Sequence, residues 1–152
     1  MATTKAKKSV NGKKTATRSA SRFAAAKSPA RVKAELKYIA WSSVELETLN
    51  PLLQRQLVVG QNIMVARVLL KKGSIVPLHS HHNEQVTYIL EGALKFWIDG
   101  KEIVVNAGEV LAIPPHMPHK AEAVVDTVDL DIFNPPREDW INKTDQYLRG
   151  NK

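Results

Sequence analysis

All five histidines of this 152-residue sequence fall in two short groups. His79, His81 and His82 follow Gly73, and His116 and His119 follow Gly108 by way of Pro114 and Pro115. Imidazole is the commonest protein ligand for transition metals. A one-residue gap puts His79 and His81 on one face of a strand, and Gln85 has the same parity, whereas His82 and Glu84 have the opposite one. Parity therefore selects Gln85 over its acidic neighbour as a ligand, and His119 could close the site from a facing strand. His82 and His116, the latter in a proline-rich turn, read as turn or rim residues. Neighbouring histidines can also be plain loop residues, but the framing by Gly73 and Gly92 and the downstream Gly-Pro-Pro-His segment favour a metal site.

A second group of polar residues ends the last apolar run: Asp129-Leu130-Asp131-Ile132-Phe133, then Arg137 beyond Pro135 and Pro136. Period-2 alternation puts Val128, Leu130 and Ile132 on one side and Asp129, Asp131 and Phe133 on the other. On pattern alone the acidic side is expected to face solvent. Beside a metal-lined barrel mouth, a carboxylate there would instead be a general base, and Arg137 could clamp a carboxylate in bidentate fashion.

The elements that must position these residues are short. From about Lys37 the chain runs in Val-, Ile-, Leu- and Tyr-rich stretches broken at close intervals by Gly, Pro or Asn, the texture of many strands. Strands are expected at 37–41, 54–59, 62–71, 75–79, 85–90, 93–98, 101–105, 110–113, 119–125 and 127–133. Asp99-Gly100 marks a two-residue hairpin, and 138–148 has helical texture. Such spacing predicts an all-β antiparallel sandwich or small barrel with a short C-terminal helix.

Charge separates the chain into a tail and a body. The net charge of +7 averages ten basic and no acidic groups in residues 1–34 with twelve basic and fifteen acidic ones in the remainder, a net of −3. The tail is too poor in large apolar residues to order itself and is expected to be disordered. It reads as a solvated arm, a weak nonspecific contact for nucleic-acid phosphates, or an organellar transit peptide. The body, residues 35–152, is one domain. With no cysteine, disulfides, thiolate catalysis and Cys-ligated metal sites are excluded. The longest uncharged apolar runs, such as Ile63 to Ala66, are far shorter than the roughly 20 residues of a membrane span. No apolar h-region precedes a cleavage site, so the protein is expected to be soluble, cytoplasmic and without membrane contact.

Gly73, His79, His81, position 85 and Gly92 resemble, in spacing throughout, the first motif of the cupin superfamily, and Gly108, Pro114 and His119 resemble the second. His116 stands where that motif usually has glycine, and Gln85 where most metal-binding cupins have glutamate. The resemblance implies a single-domain double-stranded β-helix, or jelly-roll, barrel, commonly a homodimer. It also implies one divalent metal ion per chain (Zn, Ni, Mn or Fe) on His79, His81, Gln85 and His119. A neutral amide leaves the metal's +2 charge intact, favouring Lewis-acid work on an anion over dioxygen chemistry.

Gln85 together with Asp131-x-Phe133-x-x-x-Arg137 resembles the small pectin-degradation cupins of the KdgF type, which open the ring of 4,5-unsaturated uronates. That implies a small anionic sugar substrate, with Asp131 as acid or base, Arg137 holding the carboxylate and Phe133 packing on the sugar face. The alternatives are another metal-dependent cupin enzyme, a lyase or dioxygenase, and a noncatalytic small-molecule binder tethered to nucleic acid by its tail.

Overall fold

The computed structural model describes residues 35–150; the expectations for the tail, residues 1–34, lie outside these. Ten strands run in chain order: β1 (Glu47–Asn50), β2 (Leu53–Val59), β3 (Met64–Leu70), β4 (Ile75–His79), β5 (Glu84–Glu91), β6 (Ala93–Ile98), β7 (Lys101–Asn106), β8 (Val110–Ile113), β9 (His119–Ala123) and β10 (Thr127–Asn134). They form a six-stranded antiparallel sheet in the order β1-β2-β3-β10-β5-β8 and a four-stranded one in the order β4-β9-β6-β7. These two antiparallel sheets are the all-β architecture that the spacing of short apolar runs predicts, and together they form the jelly roll that the family resemblance implies. Among the described residues no helix is long and apolar enough to cross a membrane.

Alternation along the strands builds the core. Met64, Ala66, Val68 and Leu70 of β3 point inward, as do Leu94, Phe96 and Ile98 of β6 from the opposite sheet, and all are buried. Burial of each large side chain contributes about 1.5–3 kcal/mol. Asp99 and Gly100 both have positive φ, 51° and 68°, as a tight hairpin between β6 and β7 requires. Gly92 has φ +83°, and a Cβ there would collide with the Asp126 carbonyl oxygen, so both conformation and close approach demand glycine.

Three expectations about the elements need correction. Residues 37–41, expected as a strand, form none: 37–40 have no regular structure and pair with no strand among the described residues, and Trp41 opens a 3-10 turn, Trp41–Ser43. Strand β1 carries no strand pattern in the sequence because only Leu49 of its four residues is buried; its pairing with β2 is set by the intervening turn rather than by apolar alternation. The single C-terminal helix is instead a four-residue helix α1 (Glu138–Ile141) and a 3-10 turn (Gln146–Leu148). Lys143 between them takes φ +57°, and Asp145 is drawn into the body by Arg55 Nη1 at 2.5 Å, which a continuous helix would not allow.

Candidate metal centre

His79, the last residue of β4, lies directly opposite His119, the first of β9. Their ring centroids are 4.3 Å apart, and His81 stands 5.6 Å from the first and 5.3 Å from the second. One ring nitrogen from each falls within 4.8 Å of the other two, so the three could hold one metal ion. The expected shared strand face needs revision. Strand β4 ends at His79, and His81 sits in the following loop, whose return is fixed by Asn83 Nδ2 donating to the Pro135 carbonyl at 2.6 Å. Gln85 belongs to β5 of the other sheet. The four candidate ligands converge across the barrel, where parity along one strand would have aligned them.

Each imidazole has its Nδ1 against a backbone carbonyl: His79 to Pro77 at 2.8 Å, His119 to Met117 at 2.8 Å and His81 to Asn83 at 3.1 Å. A carbonyl only accepts, so on His79 and His119 Nδ1 carries the proton and Nε2 keeps its lone pair, whereas His81 faces an oxygen acceptor from each ring nitrogen, Asn83 O and Gln85 Oε1, both at 3.1 Å. Burial, reinforced by the positive field of Arg137 and by the neighbouring histidines, pushes His79 and His81 down to about 4; burial also lowers His119. All three are neutral bases near pH 7, the state a metal needs.

Gln85 is oriented by its other side. Its Nε2 donates to Asp131 Oδ1 at 2.8 Å and to Thr87 Oγ1 at 2.9 Å, and the Thr87 hydroxyl donates to the same Asp131 oxygen. That leaves Gln85 Oε1 facing His81 Nε2 at 3.1 Å. Metal–ligand bonds of about 2.0–2.2 Å bring neighbouring donors to such a separation. Three imidazole nitrogens and one amide oxygen therefore fit a divalent first-row cation.

Asp129, Asp131 and Phe133 are buried, 3%, 7% and 0% exposed, so the acidic side of β10 faces the barrel interior and the solvent-facing expectation is overturned. Alternation alone cannot say which side of a sheet is wet, and the apolar Val128, Leu130 and Ile132 point to the wrong one. Burial raises the pKa of both carboxyls, Asp129 the more, since it adds repulsion from Asp131, whereas Asp131 has bonds from Thr87 and Gln85 and the field of Arg137. Asp129 Oδ1 has no hydrogen-bond partner.

Arg137 is only 2% exposed, and its fork is already engaged: Nε and Nη2 hold Asp139 at 2.9 and 2.7 Å, and Nη2 also donates to the Tyr147 hydroxyl at 2.9 Å. Only Nη1, buried and unpartnered, remains for a ligand, so the bidentate clamp reduces to a single donor. Phe133 lies edge-on to His81 and Trp140, at centroid distances of 5.7 and 5.1 Å. Fully buried, it packs against His81 and lines the same cavity as Asp131 and Arg137. His82 and His116 are exposed, as expected. His116 has φ +64°, which explains physically why glycine suits its position.

No sequence signal points to Tyr147, which stacks on His79 at 4.8 Å, or to the fully buried Arg55, which ties down the C-terminal segment. Thr87 and Asp129 share the parity of Gln85 and Asp131, and that signal could find them. His79, Gln85, His119, Asp129, Asp131 and Arg137 line a cavity of about 40 Å³, with Trp140 and Leu148 also in its wall. That is room for a few waters.

Residues 66–133 match the cupin domain model. An uncharacterized protein of Methanocaldococcus jannaschii is 32% identical over 83 residues, covering 54% of this chain and 63% of that protein, so the match spans under two thirds of its length. The structure is similar to that of an RmlC-like cupin from Shewanella frigidimarina, with TM-score 0.66 and 29% identity over 70% of this chain and 97% of that one. It is also similar to KdgF from Halomonas sp., with TM-score 0.66 and 23% identity over 70% and 99%. Strand order, the histidine centre and the matched residues agree: residues 66–133 match a cupin domain, and the fold is that of the cupin barrel.

Proposed function

We propose that this protein is a metal-dependent enzyme that opens the ring of 4,5-unsaturated uronate monosaccharides to linear keto-aldehyde acids. The observation that carries the reading is the Gln85–Asp131 hydrogen bond, which joins a neutral metal ligand to a buried carboxylate. The fold likeness to KdgF is consistent with it. His79, His81, Gln85 and His119 would hold the ion. Bound there, a divalent cation supplies Lewis acidity at nearly its full charge, because all four donors are neutral.

The remaining work belongs to the protein's own groups. Ring opening removes the anomeric hydroxyl proton, breaks the C1–O5 bond, and adds a proton at C4 as the enol becomes a ketone. One proton leaves and one arrives, so a single carboxyl can carry both. Asp131 is suited to this: Thr87 and Gln85 both bond Oδ1, which leaves Oδ2 for the substrate. Arg137 Nη1 contributes one N–H to the substrate carboxylate. The cavity, about 40 Å³, is smaller than a monosaccharide, so substrate binding requires it to widen.

The test is loss of the substrate's ultraviolet enol-ether absorbance above the spontaneous rate, without oxygen consumption. Absence of turnover by metal-replete protein on any unsaturated uronate would sink the proposal. The cavity size favours one second reading, a lyase acting on a smaller acid; turnover of a two- or three-carbon acid in place of the uronate would select it.

A further inference from the structure

Strand β10 sends three side chains inward at successive levels: Phe133 beside Gln85, Asp131 beside Thr87 and Asp129 beside Ile89. The first two levels belong to the metal centre. Asp129 lies about 7 Å further along the strand. Val68 and Ile89 flank it in the sheet, and Leu94, Phe96 and Ala121 of the opposite sheet line the same cavity. Asp129 is 3% exposed, and its Oδ1 has no hydrogen-bond partner.

A carboxyl among apolar side chains costs stability unless something pairs with it. The cation of its own register row, Arg55, reached through Val68, is engaged elsewhere. Arg55 donates to Glu47, Asp145 and the Trp140 carbonyl at 3.0, 2.5 and 3.4 Å. Asp131 differs, being held by Thr87 and Gln85. A buried group that breaks the rule of an apolar interior without a structural partner is expected at a functional site.

Arg137 Nη1 is a second buried, unpartnered polar atom in the lining of this cavity. One ligand that satisfies both carries an anionic group for Arg137 and a polar group for Asp129. A hydroxyl suits a buried carboxyl in either protonation state, because it donates to the carboxylate and accepts from the acid. An ammonium serves only the first and a ketone only the second.

We infer that Asp129 binds a hydroxyl of the ligand, on the part of the molecule away from its acid group, and thereby makes this centre select hydroxy acids over deoxy acids of the same length. The inference rests on the proposed sugar-acid substrate and adds a specificity residue to it. Asp131 moves protons, whereas Asp129 touches a hydroxyl that does not react. An analogue without that hydroxyl leaves the buried carboxyl unpaired, which is how such sites discriminate.

Calorimetric titration of the metal-replete full chain with two four-carbon acids tests it: threonate, which carries three hydroxyls, and butyrate, which carries none. The readout is the ratio of their affinities in wild type, Asp129→Leu and Asp129→Asn. Any preference of the metal itself for hydroxy acids is common to all three proteins and cancels. Wild type should favour threonate, and Asp129→Leu should lower the ratio at least about tenfold while leaving butyrate binding within about threefold. Asp129→Asn keeps a hydrogen-bonding group of the same shape and should retain most of the ratio. Asp129→Val, which suits a strand, carries the expectation of the leucine variant should that one not fold. A ratio unchanged on removing the carboxyl, or a wild type that binds threonate no tighter than butyrate, would overturn the inference. Turnover of the unsaturated uronate, measured on the same samples, keeps the two readings apart. A ratio that collapses in Asp129→Leu, with no turnover by wild type, would overturn the ring-opening reaction and leave Asp129 as a hydroxyl-binding residue.

Discussion

Gln85 donates its amide N–H to Asp131 at 2.8 Å, and this bond turns the amide oxygen toward His81. One hydrogen bond thereby sets the orientation of a candidate ligand and the environment of the carboxyl proposed to move protons. Glutamate at position 85 would put two carboxylates against each other and force a shared proton.

Gln85→Glu should therefore destabilise metal-free protein by about 1–3 kcal/mol, the cost of leaving a buried polar group without its partner. It should gain more from added metal than the wild type does, since the new charge is neutralised on binding. Melting temperatures with and without metal check this; an unchanged metal-free melt would mean that Asp131 does not hold the amide.

Asp131→Asn keeps the shape but cannot accept a proton. Turnover of unsaturated uronates should fall on the order of 100-fold or more, with KM nearly unchanged. A variant as fast as wild type would remove Asp131 from the chemistry.

Asp129→Asn should raise the melting temperature at neutral pH. Asp129 is held above the ordinary carboxylate range by burial and by Asp131. Such a group contributes stability below its unfolded pKa that is lost as pH rises toward its folded one. The gain from the substitution should therefore grow with pH above about 4, the ordinary value for aspartate. A constant difference across pH would show that Asp129 does not titrate on unfolding.

The histidines give the opposite slope. His79 and His81 sit at about 4 against an ordinary 6.5, so the unfolded chain takes up more protons between those values. Metal-free protein should lose stability as pH falls from about 6.5 to about 4, and His79→Ala should lose less over that window. Parallel melting curves for the two proteins would contradict a neutral His79 in the folded chain.

Much of this centre is legible from residue type and spacing. Parity and glycine framing single out His79, His81, His119 and Gln85, and these four do converge. The reason is only partly the one that parity supplies: Gln85 reaches the site across the barrel, and a local pattern carries no information about which distant strand lies opposite. Asp131 and Asp129 share one side of β10, but alternation does not tell core from solvent when the other side is the apolar one. Arg137 reads as a free fork in the sequence because Asp139, its partner two residues on, looks like an ordinary surface charge. The interactions of Tyr147 and Arg55 depend on a chain reversal at Lys143 that helical texture conceals.

Metal content, measured by elemental analysis of protein purified without added metal, tests the centre most directly. Wild type is expected to carry close to one first-row divalent ion per chain, and His81→Ala/His119→Ala to carry almost none while keeping its fold. Full occupancy in that double variant, or a wild type that takes up no ion when metals are supplied, would contradict the assignment.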